Sequence, residues 1–298
     1  MDDERHVAGP LEGEMVTVDG VVLDTHLEPS SDGPLAGETV LLVSGLGRQR
    51  VEWPPPLLAG LRASGMATLA VDNRDVGRST IVEHPPADGA AYELGDLARD
   101  LSGVLDHHGV ERAHVLGVSM GGMIAQHLAF THPERVASLI SVMSSTGARD
   151  SGSSRPEVTR VLTTPEPEDP DAYVERAVEV AEAIGSPGLV DPEEVRCRAR
   201  VVTRRGIHPE GTARQMLAIL ADRNRTSRLA GVRTPTLVVH GTADPLIDVS
   251  GGEATAAAIA GARLHLIEGM GHDLPTAHLP ELVGAVVGHV ADARSAAW

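Results

Sequence analysis

Several residue types are scarce in this sequence, and each scarcity excludes something. The single cysteine, Cys197, cannot form a disulfide within the chain, which fits a reducing compartment. Lysine is absent, and 25 basic residues stand against 42 acidic ones, so the net charge is −17. Because nucleic acids bind to basic surfaces, this composition argues against a nucleic-acid partner.

Long apolar runs are also missing. A bilayer span requires about 20 consecutive apolar residues, and no stretch of the sequence approaches that length. The first residues, Met-Asp-Asp-Glu-Arg-His, are acidic and are followed by no apolar segment of the kind found in a secretory signal. With 42% hydrophobic and 22% charged residues, the composition is that of a soluble globular protein. We therefore expect a cytoplasmic protein without a membrane span.

The apolar runs that are present are short and are separated by helical patterns. Runs followed by turn residues predict strands at Thr39 to Val43, Ala67 to Val71, Ala113 to Val118, Val136 to Val142, Thr236 to His240 and Arg263 to Ile267. Two antiparallel strands are expected around Asp19-Gly20, a dipeptide suited to a tight hairpin turn. Because strands and helices alternate, the sequence predicts an α/β fold with an eight-stranded, mostly parallel, doubly wound sheet.

The alternation is interrupted between Ser144 and Arg233. This region begins as a loop rich in Ser, Gly and Arg. Helical patterns follow at roughly Asp171 to Ile184, Pro192 to Thr203 and Gly211 to Asn224. We interpret residues 144–233 as a helical cap inserted into one core, formed by residues 1–143 and 234–298. Such a cap would cover the carboxyl ends of the strands, where open α/β sheets bind ligands. A peripheral helical excursion is the alternative.

The strongest local signal is the stretch Gly117-Val118-Ser119-Met120-Gly121, which matches the pattern G-x-S-x-G. It follows a predicted strand directly and precedes a predicted helix. A sharp turn at this point would raise the Ser119 side chain above the sheet and direct the amino end of the helix at the site. A glycine-rich turn without function is the alternative. The context favours Ser119 as a catalytic nucleophile.

A nucleophilic serine requires a general base and a third group that orients the base. His272 lies in the loop Gly-Met-Gly-His-Asp-Leu-Pro, between the last predicted strand and the last predicted helix, where it would face Ser119. Four other histidines fall in or at the ends of predicted strands and helices, and we expect structural or surface roles for them: His107, His108, His265 and His289. His272 is therefore the predicted base.

The orienting acid should follow the strand that precedes the histidine loop, because the chain order in this kind of site is Ser, then Asp or Glu, then His. Asp244 lies in the loop that directly follows the predicted strand ending at His240, and it is the predicted acid. Asp248 is the nearby alternative, although it is also placed to begin the next helix. Asp244 would fix the tautomer of His272 and stabilise the imidazolium that forms during attack.

Two backbone N–H groups are expected to bind the oxyanion. One belongs to the residue after the nucleophile, Met120, and the other to the early loop Ser44-Gly45-Leu46-Gly47, in which Leu46 is the candidate. An ordinary glycine turn is the alternative for this loop. No cofactor motif is recognisable, and no His, Cys and Asp cluster has the spacing of a metal site, so we expect neither a cofactor nor a metal.

These motifs, in this order, resemble the α/β-hydrolase superfamily over essentially the whole chain. A closer resemblance, to capped serine esterases similar to aclacinomycin methylesterase, rests on Asp72 to Thr80, on Gly117 to Gly121, and on Gly269 to His272 with Leu274-Pro275. The resemblance implies a Ser-His-Asp triad and no cofactor. One departure is Ser44-Gly45, since many members of the superfamily carry His-Gly before the oxyanion residue.

The expected function is hydrolysis of a small to medium, largely apolar carboxylic ester through an acyl-enzyme intermediate. The same three residues also support lactone, thioester or carbon-carbon bond hydrolysis, or cofactor-free perhydrolysis, and these alternatives stay open. Haloalkane dehalogenases and epoxide hydrolases of this fold use an aspartate nucleophile, so Ser119 argues against both. A non-catalytic ligand-binding receptor is the alternative from another class.

Overall fold

The computed structural model describes Val7, residues 9–83 and residues 90–295, and it shows one eight-stranded sheet in this part of the chain. The strands are β1 (Glu14–Val18), β2 (Val21–Glu28), β3 (Thr39–Val43), β4 (Ala67–Val71), β5 (Ala113–Val118), β6 (Val136–Val142), β7 (Thr236–Gly241) and β8 (Arg263–Ile267). Their order across the sheet is β1-β2-β4-β3-β5-β6-β7-β8. β2 pairs antiparallel with β1 and β4, and the remaining neighbours are parallel. The predicted sheet is confirmed.

The hairpin between β1 and β2 turns at the predicted dipeptide. Asp19 has φ 47° and Gly20 has φ 84°, so both central residues adopt the left-handed conformation that two-residue hairpin turns require. Val18 and Val21 are paired directly across the turn. The dipeptide therefore sets the register of this edge of the sheet.

Helices cover both faces of the sheet. The core helices are α1 (Pro55–Ala63), α2 (Leu94–His107), α3 (Met120–Thr131), α9 (Val249–Ala258) and α10 (Leu279–Ser295). Within β3, Leu41 and Val43 pack into a cluster with α2 and α3, whereas Val40 and Leu42 pack into a second cluster with α1 and α10. Because successive side chains of a strand point to opposite faces, a continuous apolar run serves both clusters. The doubly wound arrangement is thereby confirmed.

Five helices lie between β6 and β7, within the region that the sequence sets apart. They are α4 (Pro156–Thr163), α5 (Pro170–Ile184), α6 (Pro192–Arg205), α7 (Pro209–Ala221) and α8 (Thr226–Leu229). The sequence predicted α5 to α7, but it missed α4 and α8 and extended α7 to Asn224. In the structure α7 ends at Ala221. The carboxylate of the next residue, Asp222, pairs with Arg225 and His127. Proline at the first position begins four of the five helices, a start signal that was available in the sequence.

The helical insert is joined to the core by buried ion pairs. Arg205 of α6 donates to Asp24 Oδ2 and Asp72 Oδ2, each at 2.7 Å, and Arg50 donates to Asp24 Oδ1 at 2.8 Å. These four side chains are at most 2% exposed. In α7, Arg214 donates two hydrogen bonds to the Asp75 carboxylate, at 2.8 and 2.9 Å. These pairs connect α6 and α7 to Asp24 in β2 and to Asp72 and Asp75, which follow the carboxyl end of β4.

The ends of the chain and one internal segment lie outside the described residues. These undescribed residues are 1–6, Ala8, 84–89 and 296–298, all within the predicted core. The expectation about a secretory signal concerns residues 1–6 and so lies outside the described residues. Among the helices of residues 9–83 and 90–295, none combines the length and apolar character that a bilayer crossing requires.

Candidate active site

Ser119 occupies a sharp turn between β5 and α3, as predicted. Its backbone has φ 56° and ψ −120°, a combination that is strained for a residue with a side chain. The Ser119 N–H donates to Val142 O at 3.0 Å, and the Ser144 hydroxyl donates to Ser119 O at 2.8 Å. The strained turn is therefore held from neighbouring β6 and the residues that follow it.

The two glycines of the motif make this turn possible through close packing. A Cβ atom on Gly121 would lie 2.0 Å from Val43 O, and one on Gly117 would lie 2.1 Å from Gly121 O. Real side chains do not approach backbone oxygens that closely. The start of α3 thus lies directly against the end of β3, which brings Ser119 beside the Ser44 to Gly47 loop.

His272 and Asp244 form a direct hydrogen bond. His272 Nδ1 lies 2.7 Å from Asp244 Oδ2, and both residues are buried, at 8% and 5% exposure. Since a carboxylate oxygen accepts, Nδ1 is the donor and Nε2 of the neutral ring is left with a free lone pair. The loop geometry therefore gives His272 the tautomer that a general base needs.

The environment of Asp244 keeps it ionised. Burial alone would raise its pKa, but His272 and His240 beside it, together with hydrogen bonds, hold the pKa of Asp244 well below its ordinary value. Asp244 Oδ1 accepts the N–H groups of Leu246 and Ile247, both at 2.9 Å. A charged carboxylate is therefore fixed in orientation by its own loop.

Ser119, Asp244 and His272 stand on loops that follow β5, β7 and β8, so all three lie at the same edge of the sheet. Within the described part of the chain, Ser119 Oγ makes no hydrogen bond to His272, so the structure joins two of the three predicted residues directly. In ligand-free enzymes such contacts are often long and tighten only when substrate binds. The Ser119 residue is partly exposed.

Leu46 and Met120 have the free N–H groups that an oxyanion site requires. Neither N–H donates a hydrogen bond to another residue in the ranges that the structure describes. The neighbouring Gly47 N–H, by contrast, is used, because it donates to Gln215 Oε1 of α7 at 2.9 Å. The loop also lies beside the serine, since a Cβ on Gly45 would be 3.4 Å from Ser119 Cβ.

The alternative residues lie in structural positions. Asp248 caps the start of α9, where its Oδ1 accepts from Ser250 N at 3.0 Å, and it is Asp244 that contacts His272. The four histidines for which the sequence indicated structural or surface roles pair with residues far from Ser119 along the chain. His107 pairs with Glu14, His108 with Thr25, His265 with Glu281 and His289 with Arg263.

Three residues at the site were not singled out from the sequence. Fully buried His240 lies 3.5 Å from Asp244 Oδ2, and its Nε2 donates to Ile247 O at 2.8 Å, which closes the acid loop. Ser186 and Asp273 bind each other beside His272. His240 directly precedes the acid loop and was within reach of sequence reasoning. The contact of Ser186 with Asp273 joins residues 87 positions apart, and no local pattern predicts it.

Metal ligands are not gathered at this site. Across residues 9–83 and 90–295, no group of three or more His, Cys, Asp or Glu side chains could hold a metal ion. The chemistry available to the described residues is that of a hydroxyl, an imidazole, a carboxylate and backbone N–H groups.

The fold and the arrangement at the strand ends define a family. The family described as alpha/beta hydrolase fold matches residues 38–276 of this sequence, and the chain belongs to that family.

Its relatives include esterases. The chain is 31% identical to rhodomycin D methylesterase DnrP of Streptomyces peucetius over 303 residues, which cover 92% of this chain and 97% of that protein. It is also 31% identical to the putative carbamate hydrolase RutD of Variovorax paradoxus (strain S110) over 254 residues, 80% of this chain and 86% of that protein. The crystal structure of a hydrolase from Pseudomonas aeruginosa PA01 has a TM-score of 0.72 and 27% identity, covering 93% of this chain and 97% of that one. The resemblance to esterases of the aclacinomycin methylesterase type is confirmed.

Proposed function

We propose that this protein is a serine carboxylesterase that hydrolyses a small to medium, largely apolar carboxylic ester through an acyl-enzyme intermediate. The observation that carries the proposal is the buried His272–Asp244 hydrogen bond of 2.7 Å at the sheet edge where Ser119 occupies its strained turn. This combination supplies a base of fixed tautomer and a raised hydroxyl.

In the proposed acylation step, Ser119 Oγ attacks the ester carbonyl carbon while His272 Nε2 takes the hydroxyl proton. The contact between these two groups forms when substrate is bound. Asp244 stabilises the resulting imidazolium across the Nδ1 hydrogen bond. The N–H groups of Leu46 and Met120 bind the oxyanion of the tetrahedral intermediate, helped by the amino end of α3.

Collapse of the intermediate breaks the bond to the leaving alkoxide, which takes the proton from His272 and departs as an alcohol. Water then attacks the acyl-serine, and His272 removes its proton in the same way. The second tetrahedral intermediate collapses with cleavage of its bond to Ser119 Oγ and releases the carboxylic acid, and His272 returns the proton to Ser119. Each proton that His272 accepts is given back within the cycle, so no cofactor is required.

The substrate class is proposed from the helical insert and from the relatives. We propose that residues 144–233 form a cap over the strand ends. The end of α5 accepts the His272 N–H, and α6 and α7 bind the loops that follow β3 and β4. The chain contains only 2 Trp, 2 Tyr and 1 Phe, so we expect few aromatic side chains to face the substrate. The esterase relative is named a methylesterase, which supports a methyl or other small alkyl ester.

The decisive test is replacement of Ser119 by alanine. Wild-type protein should hydrolyse p-nitrophenyl butyrate and should be labelled by a fluorophosphonate probe. Ser119→Ala should lose at least about 10³-fold in kcat and should not be labelled, because the hydroxyl that forms the proposed acyl-enzyme is removed. Ser102→Ala in α2 is the matched control and should behave as wild type. Unchanged turnover in Ser119→Ala would refute the assignment of Ser119 as the nucleophile.

A second candidate is carbamate hydrolysis on the same residues, which the RutD relative favours. A panel of p-nitrophenyl esters graded by acyl size, together with methyl esters, a carbamate, a lactone and a thioester, separates these chemistries. Higher kcat/KM for the carbamate than for every ester would replace the carboxylesterase proposal. Absence of both turnover and labelling in the wild type would favour a receptor.

A further inference from the structure

The carboxyl end of α5, in the insert, binds the loop that carries His272. The His272 N–H donates to Ile184 O at 2.7 Å, and the Gly271 N–H donates to Ser186 Oγ at 2.8 Å. Two consecutive backbone groups of the histidine loop are therefore held by the insert rather than by the core. Buried N–H groups need such partners, because an unpaired one is costly.

The Ser186 hydroxyl connects two groups of the histidine loop, the Gly271 N–H and the Asp273 carboxylate. It accepts from the Gly271 N–H and donates to Asp273 Oδ1 at 2.5 Å, and the same carboxylate oxygen accepts the Ser186 N–H at 3.0 Å. Ser186 is fully buried, whereas Asp273 is half-buried. The hydroxyl thus uses one acceptor position and its only proton. The residues on both sides of His272 are bound to this one side chain.

Backbone packing at this contact leaves no space for adjustment. A Cβ atom on Gly271 would lie 2.5 Å from Gly185 C and 2.6 Å from Ser186 N. Gly271 is required here for close approach, while the sharp turn of the loop falls at Gly269, which has φ 73°.

The histidine loop is held from the core as well. The Ala243 N–H donates to Met270 O at 3.0 Å, and His272 itself donates to Asp244 Oδ2. His272 therefore lies between core contacts on one side and insert contacts on the other. A shift of the insert contacts would change the position of the ring relative to Ser119.

We propose that Ser186 is a positioning residue for His272, acting through Gly271 and Asp273, so that the insert supplies part of the catalytic geometry as well as covering the site. The inference rests on the proposed function, in which His272 is the base. Ser186 does not touch the reacting atoms. Its effect should therefore appear in kcat, because ground-state contacts with the substrate are unchanged.

The first test is Ser186→Ala, which removes the acceptor of the Gly271 N–H and the donor to Asp273. Because a displacement of about 1 Å can cost about 10²-fold in rate, kcat for p-nitrophenyl butyrate should fall between about tenfold and 10²-fold. KM should stay within about threefold. A role in substrate binding alone would instead raise KM at constant kcat.

Asp273 provides a second and less buried variant. Asp273→Ala should reproduce the kcat loss of Ser186→Ala, and the double variant should lose no more than either single one, because both act through one connection. Asp273→Asn keeps an oxygen acceptor and should retain at least about a third of kcat. If Ser186→Ala does not fold, the comparison of Asp273→Ala with Asp273→Asn decides the question.

The control is Asp169→Ala, at the opposite end of the same helix. Asp169 caps α5 by accepting the Ala172 N–H at 2.9 Å, so its loss weakens α5 without touching the histidine loop. It should leave kcat within about twofold. Equal kcat losses in Asp169→Ala and Ser186→Ala, or wild-type kcat in folded Ser186→Ala, would overturn the inference. If Ser119→Ala is active instead, the proposed function fails.

Discussion

Replacing Asp244 by asparagine should reverse the tautomer of His272. Asp244 Oδ1 accepts two backbone N–H groups, from Leu246 and Ile247, at 2.9 Å each. Only an oxygen can accept both, so the oxygen of the new amide must occupy this position. Its NH2 group is then placed where Oδ2 lies, 2.7 Å from His272 Nδ1.

An NH2 group donates, so His272 Nδ1 would have to accept and the ring proton would move to Nε2. A protonated Nε2 cannot take the proton of Ser119. The new NH2 group would also face the Nε2–H of His240, 3.5 Å away, without an acceptor between them. By the tautomer argument, kcat should fall by about 10⁴-fold, equivalent to about 5.5 kcal/mol in the activation free energy.

The assay compares kcat of Asp244→Asn with wild type on p-nitrophenyl butyrate, with folding checked by circular dichroism and thermal unfolding. Asp248→Asn is the matched control, because Asp248 caps α9 and makes no hydrogen bond to His272. It should retain most of the activity. A folded Asp244→Asn variant within tenfold of wild type would refute the tautomer argument, and loss in Asp248→Asn alone would transfer the role to Asp248.

Two further predictions concern stability. Gly121→Ala would place a Cβ 2.0 Å from Val43 O, so the free energy of unfolding in urea should fall by about 3 kcal/mol. Gly288→Ala in α10, where the added Cβ meets open space, should leave the free energy of unfolding unchanged or raise it. Equal effects of the two substitutions would contradict this packing argument. Burial, assisted by Arg263, lowers the pKa of His289 to about 4. Unfolding raises that pKa to about 6.5, so the unfolded chain binds more protons between these values and stability falls as pH drops. Between pH 7 and pH 5, His289 should account for about 2 kcal/mol of the loss, and His289→Leu should remove that share; identical pH slopes would contradict it.

The core was predictable because its signals are local. A buried parallel strand requires largely apolar residues, and the bounds of β3, β4, β5 and β6 follow such runs to the residue. The bounds of β8, a mostly exposed edge strand, also match the prediction. The glycines around Ser119 are required by packing within a few residues of the chain and against β3. Such patterns are visible in one short window of sequence.

The contacts of the insert were not predictable in the same way. Ser186 with Asp273, and Arg205 with Asp72, join residues far apart in the chain, and either member alone resembles an ordinary surface residue. The short helix α8 contains too few residues to show a period. The position of His272 depends on tertiary contacts between the insert and the core, and a short window of sequence does not contain them.

The cluster of four buried charges, Arg50, Arg205, Asp24 and Asp72, affects whether the insert can be exchanged between related proteins. Arg205 depends on Asp24 and Asp72, which lie in and just after strands of the core. A chimera that received the insert without these carboxylates would carry an uncompensated guanidinium in its interior, and removing one partner of a buried pair typically costs about 3–5 kcal/mol. Exchange of this segment between hydrolases therefore requires that the two aspartates be transplanted with it.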